Sequence, residues 1–126
     1  MKRKRILIVE DEESLLKLES ILLSTKGYLV TGVKDGQAAL DEVAANKPDL
    51  ILLDIMLPLI DGFEVCRRIK EDPDTKGIPV VMLTAKKSKE DMERGVRVCA
   101  DAYITKPFKS SMVMEVIEGL LKKSHD

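Results

Sequence analysis

The stretch Leu50-Ile51-Leu52-Leu53-Asp54-Ile55-Met56-Leu57-Pro58-Leu59-Ile60-Asp61-Gly62-Phe63-Glu64 decides the fold. Its first residues are apolar without alternation, as in a strand buried on both faces of a parallel sheet, and the run stops at a carboxylate. Asp61-Gly62-Phe63-Glu64 then has the form of a capping box and opens a helix. A strand, a loop with an acid at its mouth and a helix therefore follow one another directly.

The same order recurs on either side. Ile6 to Val9 and Val80 to Leu83 are also unbroken apolar runs, while Tyr28 to Val33 and Ala102 to Thr105 are more mixed and suit sheet edges. Helical spacing joins Leu15, Leu18 and Leu22, then Ala39, Leu40, Val43 and Ala44, then Val113, Val116, Ile117, Leu120 and Leu121. Asp35 before Gly36-Gln37-Ala38-Ala39, and Ser88 three residues before Asp91, add helix-start signals. Pro79 falls at the start of the fourth strand, where a missing N–H is tolerated. Strand then helix, repeated along the chain, predicts an open, doubly wound α/β sheet whose right-handed crossovers place helices on both faces. Ligands of such sheets bind beyond the carboxyl ends of the strands, near the point where strand order reverses.

Composition narrows the chemistry. A chain of 126 residues, 44% hydrophobic and 34% charged, predicts one soluble domain with no room for a second module of ordinary size. Lys plus Arg number 21 and Asp plus Glu 22, and the net charge of -1 offers no field for holding nucleic acid or an anionic membrane. Cys66 and Cys99 form no CxxC pair and read as small apolar packing residues. The single histidine, His125, is penultimate, which argues against a Ser-His-Asp triad, a histidine zinc site or a histidine acid-base. Met1-Lys2-Arg3-Lys4-Arg5 starts like a signal peptide, but Ile6-Leu7-Ile8-Val9 is too short for a signal or membrane core, so a cytoplasmic protein is expected. The basic run reads as a solvated lead-in to a buried strand.

The expected strand ends carry the polar groups. The first ends in Glu10-Asp11, the third in Asp54, the fourth in Thr84-Ala85, and Lys106-Pro107 lies just past the fifth. Carboxylates gathered at one rim repel unless a cation sits among them, and Mg²⁺ takes oxygen ligands of this kind, usually only one or two protein carboxylates with waters and a phosphate oxygen. No Gly-rich phosphate loop follows the first strand, so neither a dinucleotide fingerprint nor a Walker loop is present. An Asp beside Mg²⁺ with a hydroxyl and an ammonium opposite has the parts for phosphoryl transfer to a carboxylate: Asp54 attacks in line, while Thr84 and Lys106 meet the equatorial oxygens.

Glu10-Asp11, Asp54-Ile-Met-Leu-Pro-Leu-Ile-Asp61-Gly62, Thr84-Ala85 and Tyr103-Ile-Thr-Lys106-Pro107-Phe108 together resemble the receiver domain of two-component response regulators. The resemblance runs from about residue 5 to the last helix and implies a single receiver domain over residues 1–126 with no output domain. It implies a flavodoxin-like, three-layer α/β/α fold with a five-stranded parallel sheet of order 2-1-3-4-5 and five helices. It implies Asp54 as phosphoacceptor from the phosphohistidine of a sensor histidine kinase or phosphotransfer protein. Thr84 and Lys106 would bind the phosphoryl oxygens. Mg²⁺ would be held by Glu10, Asp11 (the direct ligand of the acidic pair), Asp54 and the carbonyl of Met56. Tyr103 matches an aromatic switch position, and Pro107 a proline that aims Lys106 inward. The only catalysis implied is the domain's own phosphorylation and dephosphorylation. Its output would be altered contact of the fourth helix, fifth strand and fifth helix, about Ser88 to Arg97 and Tyr103 to Leu121, with a downstream protein in trans, from a monomer or weak dimer.

Two features depart from the family pattern: Cys99 stands where Gly commonly ends the fourth helix, and Ala102 replaces a frequent acidic residue. Two other readings use the same residues. A receiver-like adaptor working without phosphorylation has no need of the intact Glu10-Asp11, Asp54, Thr84 and Lys106 set. A phosphohydrolase of the haloacid dehalogenase type needs a second Asp two residues after the nucleophile, where this chain has Met56.

Overall fold

The computed structural model describes residues 3–84, 93, 100–105 and 109–123, with Thr84 and Lys123 described by backbone alone. Five strands, β1 (Arg5–Val9), β2 (Leu29–Val33), β3 (Leu50–Asp54), β4 (Val80–Thr84) and β5 (Ala102–Thr105), form one sheet. Its order is β2-β1-β3-β4-β5 and every pairing is parallel. Helices α1 (Glu13–Thr25), α2 (Gly36–Asn46), α3 (Gly62–Glu71) and a C-terminal helix (Ser110–Lys123) cover it. The fourth of the five expected helices, about Ser88 to Arg97, lies outside the described residues apart from Glu93, and Cys99 lies outside them too.

The unbroken apolar runs are explained by two cores, one on each face of the sheet. Leu7, Val9, Ile51, Leu53, Val80 and Met82 meet Ala39 and Val43 of α2 and Phe63, Val65, Cys66 and Ile69 of α3. The alternate residues Ile6, Ile8, Leu50, Leu52, Val81 and Leu83 meet Leu23 of α1 and Val113, Met114, Ile117 and Leu121 of the C-terminal helix. A central strand must therefore be apolar at every position. Cys66 is a fully buried packing residue, as its reading as a small apolar group predicts.

The α1 stripe differs from expectation. Leu18 is 64% exposed, and the buried residues are Glu19 and Leu23, with Leu16 packed against the second core. The phase is set by edge strand β2: a Cβ on Gly32 would lie 2.8 Å from Leu16 Cδ1, so the bare glycine receives Leu16. A glutamate on the inward face hides this stripe from hydropathy. The Ala39-Leu40-Val43-Ala44 stripe holds except at its end, where Ala44 is exposed.

Polar ties fix the amino ends of the strands, opposite the candidate site. Asp49 Oδ2 accepts from Arg5 N–H at 2.7 Å, and Asp49 N–H donates to Arg5 O at 2.9 Å. Lys70, at the end of α3, donates to Ile78 O at 2.7 Å and pairs with Asp101 at 2.7 Å. The same Asp101 oxygen accepts from Val80 N–H at 2.8 Å, joining α3 to the starts of β4 and β5. With these ends pinned, the carboxyl ends of the strands share one rim.

Candidate functional site

The sheet order reverses beside β1, because β2 and β3 flank it, and the carboxylates gather at the carboxyl end of that β1–β3 pair. Val9 is paired with Leu53, so Glu10 and Asp54 leave adjacent strands side by side. Strand alternation turns both toward the face of Ile8 and Leu52. Carboxylate oxygens of Glu10, Asp11 and Asp54 all lie within 4.8 Å of one another. Glu10 is 2% exposed and Asp54 7%, whereas Asp11 is exposed.

Local hydrogen bonds hold the two buried acids. Glu10 N–H donates to Val33 O at 3.0 Å, and Glu10 Oε2 accepts from Glu12 N–H at 3.1 Å. Asp54 Oδ1 accepts from Met56 N–H at 3.0 Å. Three carboxylates at this spacing concentrate negative charge at the rim, and their hard oxygens are the donor set that Mg²⁺ takes. The residues present thus fit the ion.

The loop after Asp54 is closed on itself. Ile55 O accepts from Leu57 N–H at 3.1 Å and from Gly62 N–H at 2.9 Å. Gly62 is required here by close approach: a Cβ would stand 2.5 Å from Asp54 O and 2.7 Å from Ile55 Cα. Asp61 caps α3, accepting from Glu64 N–H at 2.9 Å, as the capping-box reading predicts. Within the loop Ile60 N–H donates to Pro58 O at 2.9 Å, closing a three-residue turn centred on Leu59 at φ 69°. This γ-turn with positive φ is rare, and holding a leucine there costs about 1–3 kcal/mol.

The structure brings together Glu10, Asp11, Asp54 and the backbone of Met56. Thr84 ends β4, with its backbone in register with Thr105 of β5. Lys106 and Pro107 lie outside the described residues, immediately after β5. Tyr103 is half-buried against the core on the α2 and α3 face and pairs in register with Met82. Sequence reasoning passed over Gly62 as a support for Asp54, because Asp-Gly reads first as a helix start. It also passed over Leu59, since leucine gives no cue for positive φ.

A doubly wound 2-1-3-4-5 sheet with a carboxylate cluster at its reversal point defines an α/β module that gathers acidic side chains at the carboxyl ends of its central strands. The chain belongs to the response regulator receiver domain family, whose model matches residues 6–118. It is 41% identical over 121 residues to the alkaline phosphatase synthesis transcriptional regulatory protein PhoP of Bacillus subtilis, covering 96% of this chain and 50% of that protein. Among solved structures, a CheY-like receiver domain protein from Methanospirillum hungatei is 29% identical with a TM-score of 0.93, covering 98% of each chain. The receiver domain of a sensor histidine kinase from Pseudomonas aeruginosa, 29% identical with a TM-score of 0.89 over 96% of this chain and 99% of that one, carries a magnesium ion coordinated in its active site cleft.

The chain is therefore a receiver module of two-component signalling and not an enzyme of the ordinary kind. It spans about half the length of the curated relatives it matches. Among the described residues no helix is long and apolar enough to cross a membrane.

Proposed function

We propose that Asp54 accepts a phosphoryl group from the phosphohistidine of a sensor kinase or phosphotransfer protein. An oxygen of Asp54 attacks phosphorus in line, the P–N bond breaks, and the imidazole leaves with its electron pair. Asp11, Glu10, Asp54 and the Met56 carbonyl would hold Mg²⁺, which supplies charge neutralisation at the phosphoryl oxygens. The Met56 N–H on Asp54 Oδ1 orients the carboxylate, and burial of Asp54 excludes most water from the nucleophile. Thr84 and Lys106 take the remaining phosphoryl oxygens. Transfer draws Thr84 inward, Tyr103 follows, and β5 and the C-terminal helix change their protein contacts. The cytoplasm is the compartment this reading implies.

The observation that carries the reading is the convergence of three carboxylates, two of them buried, on the mouth of β3. The test is incubation with phosphoramidate and Mg²⁺ followed by intact-mass measurement. One phosphoryl group is gained by the wild type, and none by Asp54→Asn or when the metal is chelated. Undiminished labelling of Asp54→Asn would overturn the assignment.

A further inference from the structure

Leu59 is 89% exposed, the most exposed large apolar side chain among the described residues, and it sits at positive φ. Neither property helps the fold. The loop is anchored from within by Ile55, buried in the first core, and by Leu57 and Ile60, which pack against it. Its hydrogen bonds to Pro58 O and Ile55 O use backbone alone, so a glycine or asparagine at position 59 would close the same turn with less strain. The anchored loop presents Leu59 outward, and Met56, three residues earlier and bonded through its N–H to Asp54, is 58% exposed.

From this we infer that Leu59 is a specificity-determining contact for the protein that delivers the phosphoryl group. The inference rests on Asp54 being the phosphoacceptor. Asp54 is 7% exposed, and its carboxylate lies within 4.8 Å of that of exposed Asp11 and accepts from the backbone of exposed Met56, so a donor histidine reaches it through a mouth beside these two residues. The protein bearing that histidine must lay its surface over this mouth and the loop that begins there. A leucine whose backbone is fixed by an anchored loop offers such a surface an apolar anchor without the loop having to be ordered on binding. A small phosphodonor enters the mouth without covering Leu59.

The experiment compares wild type, Leu59→Gly and Leu59→Asn with two donors: phosphoramidate, and the fastest-transferring kinase from a panel of purified autophosphorylated sensor kinases. Both variants are expected to keep the phosphoramidate rate and to melt at or above the wild-type temperature. Their kcat/KM with the kinase should fall at least tenfold, chiefly through KM. An unchanged kinase kcat/KM overturns the inference, as does a loss carried by kcat alone. So does failure of every kinase to label a wild-type chain that phosphoramidate labels. A wild type that phosphoramidate does not label on Asp54 overturns the phosphoacceptor reading itself.

Discussion

At the residue scale, the site depends on how closely two backbones approach. Gly62 lies against the last residue of β3, and the nearest obstacles to a Cβ are Asp54 O and Ile55 Cα, neither of which can rotate away. Gly62→Ala should therefore displace the end of β3 or the start of α3. We expect a loss of about 2 kcal/mol in stability, read by urea unfolding, together with weaker Mg²⁺ binding. Wild-type stability in that variant would show that the loop gives way at no cost. The acids of the site were legible because each ends an unbroken apolar run, and a run that stops at a carboxylate marks the rim. Gly62's packing role and Leu59's backbone were not legible, since both depend on loop closure between residues that hydropathy does not relate.

At the element scale, α3 carries a charge network outside its core-facing stripe. Glu64 is bound by Arg67 and Arg68, and Arg67 also reaches Glu71 at 2.7 Å. Hydrogen bonds from the two guanidiniums, Arg67 first, lower the Glu64 carboxyl from 4.5 to about 2. Because the folded group ionises below the unfolded one, its contribution is present above about pH 4.5 and is lost as pH falls toward about 2. Wild type should resist urea better than Glu64→Gln at about pH 6, with the gap narrowing at about pH 3 and in high salt. A gap that stays constant across that window would refute the linkage. The helices also show where pattern reading holds and where it slips. The C-terminal helix buries Val113, Ile117 and Leu121 as its spacing predicts, because its inner face is wholly apolar. In α1 a buried Glu19 takes an apolar position, and the leucines alone point to the wrong phase.

At the scale of the whole molecule, stability and function oppose each other across the sheet. The amino ends are tied by opposite charges, with Lys70 on Asp101, whereas the carboxyl ends gather Glu10, Asp11 and Asp54. Without a cation the like charges at that rim repel, and the rest of the fold sustains the arrangement. Neutralising one of them should then stabilise the metal-free protein, so Asp54→Asn should melt above the wild type in chelator, by on the order of 1 kcal/mol. Mg²⁺ should reverse the order. Binding to the folded state alone adds about 2.7 kcal/mol at a hundredfold excess over the dissociation constant, which for a domain of this size raises the midpoint by about 10 °C. Asp54→Asn should gain much less, having lost one ligand oxygen and the charge that draws the ion. Thermal unfolding of both proteins across a Mg²⁺ titration separates the two effects. The curves must cross if the rim is built for a cation, and parallel curves would mean that its carboxylates act only as caps and turns.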